Sequence, residues 1–458
     1  MSEVWLSEVQ DFNEIFRYDA EYFNKYSVQV VKKIRDNKHC LIGEEFDVSK
    51  LAGFEFTEYF TPTNMESENF YIALTSKNIQ NERIELSNYI TIDKNVADLN
   101  LSRSKIYDGD VIMSYTGEYR RALTLQEKSI FQLGPNICRL RPKGNIVSSF
   151  YLSTFLNSKI GQLILDKEKT LSAQPTVAMS RIRLIPIPIL SSDFQQKIET
   201  LVKSAHAKLE ESKQLYAAAE DQLLSELGLK DWQPKNQNIN IKTLKESFLS
   251  SGRLDAEYYQ SKYDALFTQL SNYECNTLKQ IVNINKSVEP GSDAYQDNGI
   301  PFVRVSDVDK FGISDPNIFL SPDDFDLQEL RPKKDTILLS KDGSVGIAYK
   351  VEKDLDCITS GALLHLTVFN QDYNPDYLTL VLNSIIVKMQ AERDANGAII
   401  QHWKPSEIEQ VIIPKLPMPI QNDISAKIQK SFALKAESKR LLAEAKKMVE
   451  NEIEKGGK

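Results

Sequence analysis

Arg17-Tyr18-Asp19-Ala20-Glu21-Tyr22-Phe23 returns 236 positions later as Arg253-Leu254-Asp255-Ala256-Glu257-Tyr258-Tyr259. The later landmarks follow in the same order. Tyr151-Leu152 with Leu156-Asn157-Ser158 reappears as Tyr377-Leu378 with Leu382-Asn383-Ser384, Pro186-Ile187-Pro188 is matched to Pro417-Met418-Pro419, and Glu211-Ser212-Lys213 to Glu437-Ser438-Lys439. A solenoid unit runs roughly 20 to 50 residues, so this period describes a duplicated domain followed by a helix. It predicts two-fold pseudo-symmetry within one polypeptide.

Within the first half, short β-rich stretches such as Val111-Ile112-Met113 and Ile137-Cys138-Arg139-Leu140 alternate with turn clusters such as Asp108-Gly109-Asp110. Phe150 to Leu165 carries apolar residues at helical spacing. After the proline-containing strand, Ser191-Ser192-Asp193 offers an N-cap. Ile198, Val202, Ala205, Leu209, Ser212, Tyr216, Ala219 and Leu223 then alternate four and three apart, a coiled-coil seam that ends at Gly228. The second seam holds Leu434, Ser438, Leu441, Ala445 and Met448. At about 1.5 Å per residue each helix is roughly 50 Å long.

The expected fold class is α+β: two pseudo-symmetric mixed α/β domains, residues 1–190 and 231–419, separated by two long helices, 191–230 and 420–458, paired as an antiparallel coiled coil. Antiparallel pairing is favoured because each helix follows its own domain. Polar Ser212 and Ser438 on the seams either set register or simply let the helices approach closely.

Composition excludes several classes. Hydrophobic content of 41% and charged content of 26% are ordinary for a soluble protein. Residues 1–10 carry Glu3 and Glu8 and no apolar core, so no signal peptide is expected. The most apolar run, Leu184 to Leu190, is too short to cross a bilayer and holds two prolines. A cytoplasmic protein without membrane contact is the expectation. Cys40, Cys138, Cys275 and Cys357 stand too far apart for a CxxC metal pair or a dense disulfide framework. No metal site is expected.

No P-loop or GxGxxG is present, and the four histidines lack HExxH spacing. Asn374-Pro375-Asp376-Tyr377 has Asp where the Asn-Pro-Pro-Tyr loop of amino-methyltransferases has its second Pro, and it suits a helix N-terminus better. A large chain with two recognition-sized domains and no reaction centre is expected to bind, not to catalyse. The net charge of −8 argues weakly against nucleic acid, but local distribution matters more. Arg103 to Lys143 holds eight Lys or Arg against four acids, and Arg331 to Lys350 holds five against Asp335 and Asp342.

Asp110-Val111-Ile112 followed by Ser114-Tyr115-Thr116-Gly117, and Asp335-Thr336-Ile337-Leu338 followed by Ser340-Lys341-Asp342-Gly343-Ser344-Val345-Gly346, resemble a repeated segment of the specificity (S) subunits of Type I restriction-modification systems. The downstream order is similar to that family too: a Tyr-Leu helix, a polar loop (Gln174-Pro175; Gln401-His402), a Pro-x-Pro strand and a long helix. The likeness covers nearly the whole chain, twice, and rests on the duplicated order. This sequence departs from it at Lys334, which precedes Asp335 where the first half has Gly109.

The resemblance implies two target-recognition domains, each reading one half of a bipartite sequence in double-stranded DNA, with the helices setting the gap. It implies no cofactor in this chain. The helices would dock two methyltransferase (modification) subunits that use S-adenosylmethionine, and the assembly would recruit restriction subunits that use ATP and Mg. The residues expected near DNA are Tyr115, Thr116, Tyr119, Arg120, Arg121, Gln174, Thr176, Arg181 and Arg183 in the first domain, and Arg304, Ser306, Lys341, Ser344, Gln401, His402 and Lys404 in the second. Gly117 and Gly343 are expected to shape turns. Two other readings stand beside this one: a specificity subunit whose partner fuses methylation and cleavage, and a coiled-coil adaptor that binds proteins.

Overall fold

A computed structural model describes residues 22–80, 82–117, 121–170, 174–234, 237, 239–325, 328–395 and 401–456. The chain divides into two compact units, residues 1–209 with 436–458, and residues 210–435. Each of the long helices, Ser192–Glu226 and Met418–Glu454, contributes one part to each unit.

The first unit is built on an antiparallel sheet in the order Phe46–Lys50, Ile137–Pro142, Val111–Ser114, Ala122–Thr124. Alternation along the strand sends Val111 and Met113 into one core and Ile112 into another. The first core lies under the helices Ser149–Asn157 and Lys159–Glu168. The second lies between this sheet and a smaller one made of Ile90–Asp93, Phe70–Leu74, Phe131–Leu133 and Lys105–Ile106. Ser148 caps the first helix, accepting the Tyr151 N–H at 3.2 Å. Tyr151 is fully buried; a side chain of this size contributes about 2 to 3 kcal/mol of burial. Its hydroxyl donates to the Pro188 carbonyl at 2.9 Å, so the ring reaches the strand Pro186–Pro188, which pairs with His39–Leu41.

The second unit repeats the main sheet in the same order: Val282–Lys286, Leu363–Val368, Ile337–Ser340, Ala348–Lys350. From this sheet's second strand onward, equivalent residues stand 226 apart, and the framework bonds repeat atom for atom. Asn157 accepts the Ala122 N–H at 3.0 Å and donates to its carbonyl at 2.7 Å. Asn383 does the same to Ala348 at 3.1 and 2.7 Å. Gln195 accepts the Ser148 N–H and Gln421 the Asn374 N–H, at 2.8 and 2.9 Å.

This spacing corrects one sequence match. Tyr377 donates to the Pro414 carbonyl at 2.8 Å, and Ile412–Pro414 pairs with Cys275–Thr277. The counterpart of Pro186-Ile187-Pro188 is therefore Ile412-Ile413-Pro414. Pro417-Met418-Pro419 instead enters the second long helix. The Pro-x-Pro pattern misled because a proline tolerated at a strand edge is equally at home in a helix's first turn.

The repeated opening motif proves to be a clasp where it is described. In the first unit Lys167 Nζ lies 3.1 Å from the Tyr22 ring centroid, with Arg181 at 5.4 Å. In the second, Arg393 and Arg253 flank Tyr258 at 4.9 and 4.5 Å. Burial pushes the Lys167 ammonium down to about 8.

Helix pairing is antiparallel. In the second unit the Ser212 and Ser431 hydroxyls each donate to the other's carbonyl at 2.7 Å. Ten residues further along the first helix, Gln222 donates to Asp423, eight residues back along the second, at 2.9 Å. In the first unit Ile198, Val202 and Ala205 share a core with Leu441, Ala445 and Val449. Ser191 caps the first long helix by accepting the Phe194 N–H at 3.3 Å, and Gly228, at φ 61°, ends it. No helix among the described residues is long and apolar enough to cross a membrane.

Cys40, Cys138 and Cys357 are buried, and burial pushes their thiols up to about 11, 12 and 11. Such thiols stay protonated at neutral pH.

Candidate nucleic-acid interface

In each unit the core strand ending in Ser114 or Ser340 runs into a turn at a left-handed glycine, Gly117 at φ 69° or Gly343 at φ 74°. A side chain there would be strained, so both glycines shape the backbone. The turn is held by a second loop. In the first unit Thr116 bridges Thr176, Gly117 N–H donates to the Pro175 carbonyl at 3.1 Å, and Val177 N–H donates to the Tyr115 carbonyl at 2.9 Å. In the second, Asp342-Gly343 forms a short ladder with Gln401-His402, and Trp403 N–H donates to the Lys341 carbonyl at 2.8 Å. Residues 226 apart thus meet the same partners. The match of Gln174-Pro175 to Gln401-His402 shifts by one place: Gln401 stands at the Pro175 position and His402 at the Thr176 position.

A third loop lies beside each pair. The hairpin strands Ile79–Gln80 and Arg83–Ile84 follow a turn in which Thr75 N–H donates to Asn78 Oδ1 at 2.8 Å, and Asn78 Nδ2 donates to the Glu85 and Asn88 carbonyls. The second unit builds the same turn with Arg304 N–H donating to Asp307 Oδ2 at 2.8 Å, ahead of the hairpin Val308–Asp309 and Gly312–Ile313. Both hairpins are tied to a long helix by an ion pair, Glu82–Lys446 in the first unit and Glu220–Lys310 in the second, each at 2.7 Å.

These loops enclose a polar cleft of about 480 Å³ in the first unit. The structure brings three of the expected residues, Thr116, Arg121 and Gln174, to its lining, with Thr176 behind Thr116. Arg121 Nη1 donates to the Ile79 carbonyl at 3.0 Å, tying the hairpin to the glycine loop. Tyr115 instead packs half-buried on the core beneath Lys50, whose ammonium is 5.2 Å from its ring, and burial pushes its phenol up. Arg181 pairs with Glu168 at 3.2 Å and Arg183 donates to the Val48 carbonyl at 2.7 Å, so neither arginine lines the cleft. Tyr119 and Arg120 lie outside the described residues.

The second unit's loops carry different chemistry. Asp342 is paired with Lys341 and lies 2.8 Å from His402 Nδ1. Arg304 and Ser306 both turn toward Asp307, at 3.8 and 3.2 Å. Ser344 gives its carbonyl to Ser340 Oγ at 2.5 Å, and Lys404 is exposed beside Glu407 at 3.7 Å. Gln401 is exposed.

Several cations in the two basic stretches hold the framework. Arg139, buried, donates to Asp47 at 2.9 Å and to the Arg103 and Lys105 carbonyls; Arg141 grips Asp110 through two nitrogens at 2.9 and 2.8 Å. Lys105 pairs with Asp98, Arg331 with Asp356, Lys333 with Asp354 and Lys350 with Asp376. A local excess of positive charge in sequence is therefore much reduced in space.

Among the solved structures that the chain resembles are S subunits of Type I restriction-modification systems. One from M. genitalium is 15% identical, covers 92% of this chain and 95% of its own, and has a TM-score of 0.43. The HsdS subunit of Thermoanaerobacter tengcongensis is 15% identical over 92% of this chain and 96% of its own, with a TM-score of 0.29. A chain from a study of type I R-M complex assembly is 17% identical over 92% and 97%, with a TM-score of 0.30. No family model and no curated protein matches the chain.

Sequence reading missed the hairpin side of the cleft in the first unit, where Ser76, Lys77, Gln80, Ser87 and Asn88 line it, together with Asn136. A signal existed. Leu74-Thr75-Ser76-Lys77-Asn78-Ile79-Gln80 and Val303-Arg304-Val305-Ser306-Asp307-Val308-Asp309 occupy the same turn, 229 apart. Having named Arg304 and Ser306, the duplication points to Thr75 and Lys77.

Proposed function

We propose that this chain is the DNA-recognition (specificity) subunit of a Type I restriction-modification complex and is itself non-catalytic. Each unit reads one half of a bipartite duplex target, and the paired helices set the gap and dock two methyltransferase subunits. S-adenosylmethionine, ATP and Mg belong to the methyltransferase and restriction partners. The observation that carries the reading is the pair of matched loop sets: one framework, with its backbone pairings repeated, presents Thr116, Thr176 and Gln80 in one unit and Asp342, His402 and Asp309 in the other. Two copies of one scaffold with different polar tips suit two unlike half-sites, since side chains at base edges carry sequence information while the scaffold only positions them.

Modified-base sequencing tests this in a methylation-free host that expresses the chain with the methyltransferase of its own system, beside a host expressing the methyltransferase alone. The expected result is a split motif carrying N6-methyladenine that requires this chain. Absence of such a motif, with both proteins soluble and associated, would refute the reading. The role of the helices has its own test. Matched seven-residue insertions after Glu210 and at the facing position near Ala433 keep the seam and add roughly 10 Å. They should widen the gap by about three base pairs, at 3.4 Å per step, and leave both half-sequences intact.

A further inference from the structure

We propose that the first unit's cleft selects adenine in its half-site through side-chain carboxamides. The inference rests on the DNA-recognition reading above and specifies its chemistry. Gln80, Asn88, Asn136 and Gln174 are all exposed and converge on one cavity with Lys77 and Arg121. No carboxylate stands among the described lining residues, so the cavity is neutral to positive and open to a polyanion. A carboxamide places an acceptor and a donor side by side, which matches the N6 amino group and N7 of adenine in the major groove. Guanine would call for a guanidinium or ammonium. The cleft's guanidinium, Arg121, donates to the Ile79 carbonyl and Gln80 Nε2 to the Lys77 carbonyl at 3.0 Å, so four carboxamides stand in the cleft beside one ammonium, Lys77.

The walls that carry these amides are held from behind. Asn78 fixes the turn below Gln80 and Asn88, and the Thr116–Thr176 bridge fixes the strand beside Gln174. Asn136 sits at φ 68°, a conformation that asparagine tolerates better than most residues. A fixed backbone sets where each amide begins, and a wrong base leaves the amide's polar groups unpaired. The second unit supplies the contrast: Asp309 stands where the first has Gln80, and Asp342 where it has Thr116. A carboxylate only accepts, as cytosine N4 requires.

The test uses the full chain assembled with its methyltransferase, selecting from a randomised duplex library, with the wild type beside Asn88→Ala/Gln174→Ala and, separately, Gln80→Ala. In the variants, preference at one or more A·T pairs of one half-site should fall roughly 10-fold or more. The other half-site should stay unchanged, which also reports that the protein is folded. Loss confined to G·C pairs, loss in both half-sites, or no loss at all would overturn the inference and leave the DNA-recognition reading standing. A wild type that enriches no split motif would overturn the reading itself.

Discussion

Where the first unit joins its sheet to its helices with hydroxyls and an aromatic ring, the second uses charge. Thr124 and Ser153 share a hydrogen bond of 2.9 Å, and Lys203 lies 5.0 Å from the Phe150 ring. At the Thr124 position the second unit has Lys350, and at the Phe150 position Asp376; they pair at 2.9 Å, buried, while Ser425 and Gln429 donate to Asp376 at 2.7 and 2.8 Å. At this junction the bonds that differ join side chain to side chain. Those that persist, from Asn157 and Asn383, Tyr151 and Tyr377, Gln195 and Gln421, satisfy backbone groups. A buried backbone N–H has few substitutes for its partner, whereas two side chains can be exchanged together.

The largest effect expected from this contrast is at the ion pair. Asp376→Ala takes from buried Lys350 its nearest and only buried partner, leaving exposed Asp335 and Glu352 at 3.4 Å, and should cost the second unit about 3 to 4 kcal/mol in urea unfolding, whereas Ser153→Ala in the first should cost about 1 kcal/mol. Lys350→Met/Asp376→Leu should recover most of that loss. Equal costs in the two units would erase the distinction. Next come the backbone clamps. Asn383→Ala leaves both polar groups of buried Ala348 without their partner and should cost about 3 kcal/mol; Asn157→Ala should cost somewhat less, because Asn157 is only half-buried and water can substitute. A cost under about 1 kcal/mol at either site would contradict the framework role.

The third effect depends on pH. Buried Arg139 and buried His365 are counterparts, the first ion-paired to Asp47, the second 2.7 Å from Thr359 Oγ1. Burial pushes the imidazole from 6.5 down to about 4. Between those values the unfolded chain binds the extra proton, so the second unit should lose stability as pH falls from 6.5 through 4. The loss is of the order of 2 to 3 kcal/mol. Hydrogen exchange across Leu363–Val368 should show it, and His365→Gln should flatten the slope; an unchanged slope would exclude His365 as its source. The smallest effect concerns the helices. Ser212→Ala should cost about 1 kcal/mol and Ser212→Ala/Ser431→Ala about twice that, since each hydroxyl donates separately to the other residue's carbonyl. A double variant no worse than the single would show that the two hydroxyls act as one unit.

Much of this fold is written in the sequence. The duplication, both long helices, their seams and their antiparallel pairing follow from periodicity and order, because a buried seam cannot change its period without exposing apolar side chains. Pro417-Met418-Pro419 misled because proline signals an ending without naming what begins. The candidate site was half legible. Loops next to repeated landmarks, such as Thr116 and Gln174, could be found; Gln80, Asn88 and Asn136 are far apart in sequence and meet only through the fold. Charge was the least legible signal, since nothing in sequence tells Arg139, which binds the interior, from an arginine that faces solvent.

The two latches have opposite polarity. Glu82 meets Lys446 in the first unit, and Lys310 meets Glu220 in the second, although Glu220 and Lys446 are counterparts in the repeat. A symmetric pair of two first halves would set Glu82 against Glu220, and a pair of two second halves Lys310 against Lys446, like charge facing like. The halves are no longer interchangeable. At these two contacts each half is the charge complement of the other, so a molecule built by repetition is held together by the places where the repeat has diverged.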